Sequence, residues 1–326
     1  GWLQGHYGLV SDQILSMNVV LANGSLITLN NNSDLMWAMK GAGANFGIVT
    51  SVTSKIYDIQ YPNWAGETII FSGSIVDAVY ETANEVIIQG GNQPVDLASW
   101  SYWLNIPEID PVNPVIVMYI LQEGVDVVDT AITQPFHDLG TLSITAQSGT
   151  YLDLAAWTDV ALDSPPCQLT PGAALPRFPI YLQEFNATAQ KLAYQLYASQ
   201  TGPNTPFNTS IFMFESYAWE GVQSLPANST AFAFRGDHLL NAPLIYYSPA
   251  NSQTLTSQAK ALGDQLRNIL LQGSGNSQLH AYVNYAYGDE TDQQWYGYDQ
   301  WRQTRLHGLK NQYDPYGEFS FFAPIN

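Results

Sequence analysis

The sequence predicts an α+β fold, an antiparallel sheet with helices on one of its faces. Three observations carry this. Strand-like runs recur at SWSYWLN, VIVMYILQ, SIFMFES, APLIYYS and LHAYVNYAY. Helical spacing appears at Ile75, Val79, Ala83 and Val86, at Leu182, Phe185, Ala189, Leu192 and Leu196, and at Leu255, Ala259, Leu262, Leu266 and Ile269. The two kinds of segment do not alternate as a parallel βαβ array requires.

The opening stretch is organised differently. SMNVVLANGSLITL places two strand-like runs around Asn23-Gly24, a dipeptide favoured in two-residue hairpin turns. Ser33 is positioned to cap a short helix, DLMWAMK, with Asp34 in its first turn and Gly41 just past its end. NFGIVTSVTSKIYDI then returns to extended, β-branched character. The third helix of the later region is ended by Gly273 and Gly275.

Composition narrows the function. The chain has 326 residues, 46% of them hydrophobic, enough to bury a sizeable core. Acidic residues number 28 against 10 basic, a net charge of −18, which disfavours nucleic acid and anionic membrane surfaces as partners. The apolar run VIVMYIL falls far short of the roughly 20 residues of a spanning helix. GWLQGHYGLV has neither the charged start nor the apolar block of a signal peptide. A single cysteine, Cys167, excludes an internal disulfide framework and cysteine-based metal clusters. Asn23, Asn31, Asn186, Asn208 and Asn228 each begin an N-x-S/T triplet, which points to a secreted glycoprotein.

WAMKGAGANFGIVTS sets Gly41, Gly43 and Gly47 in one loop. It is not a Rossmann fingerprint. The spacing carries one residue too many, and a helix leads into the glycines where a Rossmann loop leads from a strand into a helix. Two readings stand from the residues alone: a helix cap followed by a tight turn, or a place where main chain comes close to a ligand.

The two ends of the chain are more specific. GWLQGHYGLVSDQILSMNVVLANGSLITL and SDLMWAMKGAGANFGIVTSVTSKIYD closely resemble the second part of the FAD-binding domain in berberine-bridge-enzyme-like oxidases, of the vanillyl-alcohol-oxidase superfamily. YVNYAYGDE and RLHGLKNQYDPYGEFSFFAPI are similar to that family's C-terminal segment, and STAFAFR to its fungal branch. The resemblance covers nearly the whole chain. It implies the C-terminal part of a PCMH-type FAD-binding domain over 1–58, an antiparallel-sheet substrate domain over 59–277, and a segment over 278–326 that returns to the FAD domain. It implies FAD as cofactor, held by backbone groups of the 41–47 loop. Gly43, Asn45, Gly47 and Ile48 would lie along the cofactor, with the Ile48 amide and carbonyl at the adenine end and Gly1 and Leu3 near the flavin. The family's pyrophosphate-binding segment and its covalent flavin linkage, a histidine and often a cysteine, lie upstream of the matched residues. Neither Cys167 nor His6 matches the linking positions; they read as a core thiol and a surface or satisfied histidine.

The resemblance also implies the chemistry. Tyr285 matches the base of sugar- and cannabinoid-oxidising relatives, while Tyr282 and Asn284 match positions that approach the flavin. On a strand, Tyr282 and Asn284 would share one face and Tyr285 the other. A phenol ionises near pKa 10, so Tyr285 needs a carboxylate or a positive environment to act as a base at neutral pH. Glu215 is the candidate partner, with an exposed strand glutamate as its other reading. Arg235 matches the arginine of a histidine–arginine pair whose histidine is Phe234 here, or else anchors the sheet. The implied reaction takes a hydride from a hydroxyl-bearing or otherwise activated C–H of a small-molecule substrate to flavin N5. Molecular oxygen is the acceptor and hydrogen peroxide the product. Oligosaccharides, alkaloid-like amines and polyketide-type metabolites all remain open as substrates.

Two other functions compete. A catalytically inactive carbohydrate- or ligand-binding protein would suit an acidic chain with 20 tyrosines and 9 tryptophans. A glycoside hydrolase would use Asp289 and Glu290, but adjacent strand residues face opposite ways and cannot flank one bond. With half of a cofactor cleft, the chain leaves a sheet edge and apolar surface uncovered. The 326-residue chain alone is therefore expected to hold FAD poorly or not at all. Flavin absorbance after gel filtration checks this, and a stoichiometric yellow complex would overturn it.

Overall fold

The computed structural model describes residues 1–164, 168 and 170–326, and Cys167 lies outside them. The chain forms two compact units, numbered here with strands and helices in chain order. The first comprises Gly1–Asp58, Trp219–Asp237 and His280–Asn326, the second Ile59–Ala218 and His238–Leu279. Both are mixed α and β, and the larger one is the antiparallel sheet with helices that the sequence predicts.

The first unit holds strands β1 (Ile14–Val20), β2 (Leu26–Asn30) and β3 (Ile48–Ser54) in the order β2-β1-β3. Its helices are α1 (Gln4–Tyr7), α2 (Asp34–Ala42), α7 (Glu220–Gln223), α9 (Asp292–Tyr296) and α10 (Gln300–Tyr313). The hairpin turn is one residue longer than predicted. The Gly24 amide donates to Leu21 and the Leu21 amide to Ser25, both at 2.9 Å, and of the turn residues only Gly24 has positive φ. That is a type I turn closed by a left-handed glycine, in place of a two-residue turn with two left-handed residues. Met17, Val19 and Leu29 are buried, as are Leu35 and Ala38 of α2. β3 is an edge strand exposed along its whole length.

Ser33 occupies the N-cap position of α2 but makes no capping bond; its hydroxyl accepts from the Asn30 amide at 3.1 Å. The other end of α2 departs from helical geometry at Lys40 and Gly41. Its free carbonyls are met by a distant segment: Ala231 donates to Trp37 at 3.0 Å and Phe232 to Lys40 at 3.2 Å. A Cβ at Gly41, where φ is +142°, would lie 2.3 Å from the Phe232 nitrogen. Gly41 is thus more than a cap, because only glycine lets segment 231–232 dock there.

Two buried arginines fix that segment. Arg235 binds Asp12 through both terminal nitrogens, at 3.0 and 2.6 Å, with side chains 4% and 1% exposed. It also donates to the Val222 carbonyl and the Thr230 hydroxyl. Arg302 of α10, 1% exposed, donates to the carbonyls of Ala227, Thr230 and Ala231. These bonds explain why Trp219–Asp237, which the sequence places in the substrate domain, packs within the first unit. Arg235 anchors the stretch before β1 and not the larger sheet.

The second unit is a seven-stranded antiparallel sheet of order β7-β4-β6-β5-β9-β10-β8. The strands are β4 (Asn63–Ser72), β5 (Leu97–Leu104), β6 (Val115–Glu123), β7 (Ser143–Thr150), β8 (Ile180–Leu182), β9 (Ile211–Tyr217) and β10 (Leu239–Leu244). Its helices are α3 (Val76–Ala83), α4 (Thr130–His137), α5 (Leu154–Trp157), α6 (Ala187–Thr201) and α8 (Gln253–Gly273). Strand alternation sends Ser101 and Trp103 of β5 with Phe212 and Phe214 of β9 to one face, where Tyr80 of α3 and Tyr197 of α6 meet them. Leu182 and Phe185 are not helical. Asn186 caps α6 by accepting from the Ala189 amide at 2.9 Å, so the helix starts at Ala187 and Leu182 ends β8.

LHAYVNYAY is not a strand. Residues Val283–Tyr285 form a 3-10 turn, with Tyr285 donating to Tyr282 at 2.9 Å and Ala286 to Val283 at 3.1 Å. Local hydrogen bonding overrides the β preference of the tyrosines.

Replacing Arg235 with Ala leaves Asp12 buried without its cation. A loss of about 3–5 kcal/mol is expected, read as a fall in the denaturant midpoint; a loss under about 1 kcal/mol would contradict the assigned anchoring role.

Candidate active site

Tyr282, Asn284 and Tyr285 come together on the 3-10 turn of the first unit. The rings of Tyr282 and Tyr285 meet edge to face at 5.1 Å, and the Asn284 amide donates to the Tyr282 hydroxyl at 2.8 Å. A turn, not a pleat, therefore sets their relative directions, which corrects the strand-based alternation. Glu290 holds the turn's exit. It is 6% exposed, and its carboxylate accepts from the amides of Tyr287 (3.3 Å) and Gly288 (2.9 Å) and from the Trp295 indole (3.2 Å). A carboxylate so engaged is a structural acceptor, and the Asp289–Glu290 hydrolase reading has no support in this geometry.

Sequence reasoning missed the group beside this turn. The His280 Nδ1 lies 2.7 Å from Asp237, and its ring stacks on Phe234 at 4.3 Å with an interplanar angle of 16°. The aromatic pair occupies the position where the resemblance leads one to expect a histidine beside Arg235. The signal available was the spacing of Phe234, Arg235 and Asp237, but the partner sits 43 residues away.

The other cofactor candidates divide by what their atoms already do. Asn45 is fully buried, and its carboxamide is engaged by the chain itself. It donates to the Tyr296 hydroxyl (2.9 Å) and the Ala323 carbonyl (3.1 Å) and accepts from the Ile325 amide (2.9 Å). Its side chain ties down the C-terminal tail and is not offered to a ligand. A Cβ at Gly47 would meet Val19 and the Val20 carbonyl at 2.6 Å, so its clearance admits the protein's own β1; Gly43 has ordinary room, with Met39 at 3.4 Å. Gly1 is exposed, its ammonium donating to Gln4, and Leu3 precedes α1. Ile48, 59% exposed, opens the edge strand β3 beside Val49 and Val52, which are also exposed.

Glu215 lies in the second unit on β9, paired with Trp100 of β5 and Leu240 of β10. It is 6% exposed and accepts from the Tyr217 hydroxyl at 2.9 Å, so the exposed-glutamate reading fails. A carboxylate kept among aromatic rings and hydrogen-bonded is a group whose burial needs a reason. His6 is half-buried beside Tyr7. Among the described residues no cluster of three metal-ligating side chains occurs, and no helix is long and apolar enough to cross a membrane.

These residues suit FAD in part. An edge strand with exposed aliphatic side chains offers main-chain donors and acceptors beside an apolar surface, which matches an adenine or isoalloxazine edge. The half-exposed Tyr282 and the exposed Asn284 add polar contacts. None of the candidate cofactor residues is cationic, so a pyrophosphate finds no charged partner among them.

No protein-family profile matches the chain. Over its whole length it is 50% identical to the FAD-linked oxidoreductase chry5 of Gibberella zeae and 51% identical to the FAD-linked oxidoreductase chyH of Penicillium rubens. It spans 64% and 65% of those relatives, just under two thirds. Among solved structures, all of the chain superposes on 68% of a berberine-bridge-enzyme-like protein of Physcomitrella patens, with a TM-score of 0.78 at 18% identity. It likewise superposes on 68% of a xylooligosaccharide oxidase from Myceliophthora thermophila, with a TM-score of 0.75 at 20% identity.

The tail that Asn45 secures depends on pH. Burial pushes the Asp314 carboxyl up, but the Lys310 ammonium at 2.6 Å and the amides of Phe319 and Glu318, both at 2.8 Å, outweigh it and hold it below the ordinary carboxylate value. A lowered folded value contributes stability that is present above the unfolded value of about 3.9 and lost as pH falls through the folded one. Hydrogen exchange at Phe319 should stay slow from pH 5 to 7 and accelerate in acid below about pH 4. In Asp314→Asn the protection should already be missing at pH 6; protection equal to the parent's at both pH values would contradict this.

Proposed function

We propose that this chain carries the proton-handling residues of a flavin-dependent oxidase, a reading supported by its 50% and 51% identity to two FAD-linked oxidoreductases and by its fold, which is that of the berberine-bridge-enzyme-like proteins. The observation that supports this most directly is the clustering of Tyr282, Asn284 and Tyr285 on one turn fixed by Glu290. FAD, when bound, supplies the two-electron acceptor. The exposed backbone of β3 from Ile48 onward and the polar groups of Tyr282 and Asn284 are the atoms of this chain proposed to hold it. The adenine-end role of Ile48 and the flavin-end role of Gly1 and Leu3 belong to the same proposal, and the 41–47 loop contributes main chain only.

Tyr285 is proposed to take the proton released as a hydroxyl-bearing or otherwise activated C–H of a small substrate is oxidised. An unassisted phenol is a poor base at neutral pH, so the reaction also needs a carboxylate. Glu215 is proposed for that role, since it is buried, on a regular strand and already bonded to a tyrosine hydroxyl. Molecular oxygen is the proposed final acceptor. Secretion and glycosylation stay part of this reading, supported by the exposure of all five sequon asparagines, Asn23, Asn31, Asn186, Asn208 and Asn228; an endoglycosidase mass shift in protein from a secreting host tests it.

In a version extended to the relatives' full length, Tyr285→Phe should leave bound flavin unchanged and lower turnover by about 10²–10⁴. Glu215→Gln should lower turnover and shift its alkaline dependence. Unchanged turnover in Tyr285→Phe removes Tyr285 from the chemistry.

A further inference from the structure

A pocket of about 320 Å³ in the first unit is lined by residues 31–33 and α2, by residues 228–229 and by Arg305 of α10. We propose that it binds a compact oxyanion of the phosphate class, a free phosphate or a phosphomonoester, with Lys40 as the central contact. No residue assigned above to flavin or to the chemistry lines this pocket, and binding there requires its sequon asparagines, Asn31 and Asn228, to be unglycosylated.

Lys40 carries the argument. It is 8% exposed and lines the pocket, and its ammonium makes a single long hydrogen bond, 3.3 Å to the side-chain Oδ1 of Asn31. Among the described residues it has no carboxylate within ion-pair distance. An ammonium has three donors, so two remain for an occupant. Leaving a charge buried and under-bonded is costly, and an anion placed against it recovers that cost. Burial holds the Lys40 amine below its ordinary value, helped by the charges of Lys55 and Arg235 and opposed by that of Asp12.

Arg305 adds a second cation from another element. Its guanidinium lies over the Trp37 ring, 4.2 Å from the centroid, and binds Asp34, which leaves further N–H donors on a planar, fixed group. Asn228 and Ser229 supply neutral polar groups on the same wall. Two of the chain's 10 basic residues thus converge on one pocket in a molecule of net charge −18. The overall field repels anions, so recognition here must rest on short-range bonds, which favours a compact, highly charged group over an extended one.

The test is calorimetric titration of the chain with sodium phosphate at pH 7, against sodium acetate at matched ionic strength. Saturable phosphate binding is expected, weakened at least about tenfold in Lys40→Met, the loss of one charge-assisted bond. Arg305→Gln, at a half-exposed rim position, should weaken it as well and serves if Lys40→Met does not fold. Binding of phosphate but not of a phosphomonoester such as glycerol phosphate identifies the free ion; binding of both identifies the ester. Three results overturn the proposal: no saturable phosphate heat, phosphate binding unaltered in both variants, or acetate binding as tightly as phosphate.

Discussion

The buried pairing of Arg235 with Asp12 is the interaction on which the first unit depends. That unit is assembled from three stretches of chain far apart in sequence. Such an assembly pays loop-closure entropy before any contact rewards it. What rewards it is hydrogen bonding to charged groups out of water, where each bond is strong and each broken partner expensive. Arg235 reaches Asp12 on one side and Val222 and Thr230 on the other, and Arg302 takes three carbonyls of the same segment. The pattern repeats at the C-terminus, where Asn45 and Lys310 bond main chain and side chains of the tail.

The second unit is held in another way. Its antiparallel register places large rings from β5 and β9 on one face, and α3 and α6 close over them with Tyr80, Tyr194 and Tyr197. Those tyrosines are buried among rings, which raises their ionisation well above the ordinary phenol value and keeps them neutral. Their hydroxyls find Ser101 and the carbonyls of Pro114, Trp103 and Ser210. In this aromatic core all three tyrosine hydroxyls are hydrogen-bonded, which favours one packing, while the Trp103 indole nitrogen is buried without a hydrogen-bond partner among the described residues.

Against these two cores the candidate catalytic turn is lightly built. One carboxylate, Glu290, gathers three donors and restrains the chain directly after the turn that carries Tyr282 and Tyr285. Such an arrangement keeps the phenols accessible while the backbone beneath them is restrained, the combination a reacting side chain needs. The glycine-rich loop has a different logic from the one its spacing suggests. Gly41 and Gly47 are small because the chain packs its own backbone against them.

The sequence by itself determined the fold class, the hairpin site at Asn23-Gly24, the helices Val76–Ala83 and Gln253–Gly273 and the central strands, because each is written in local periodicity and turn chemistry. Its resemblance to a known family was also legible, since the motifs at both ends are contiguous. Only the tertiary structure decided the rest. The 3-10 turn at Val283–Tyr285 has strand-like residues whose backbone is claimed by local amide bonds, with Glu290 holding the amides of Tyr287 and Gly288 just beyond it. The His280–Asp237 pair, the engagement of Asn45 and the convergence of Lys40 with Arg305 each join residues separated by tens to hundreds of positions. Periodicity is blind to such encounters, because they depend on which distant stretch closes over a local element and not on the element itself.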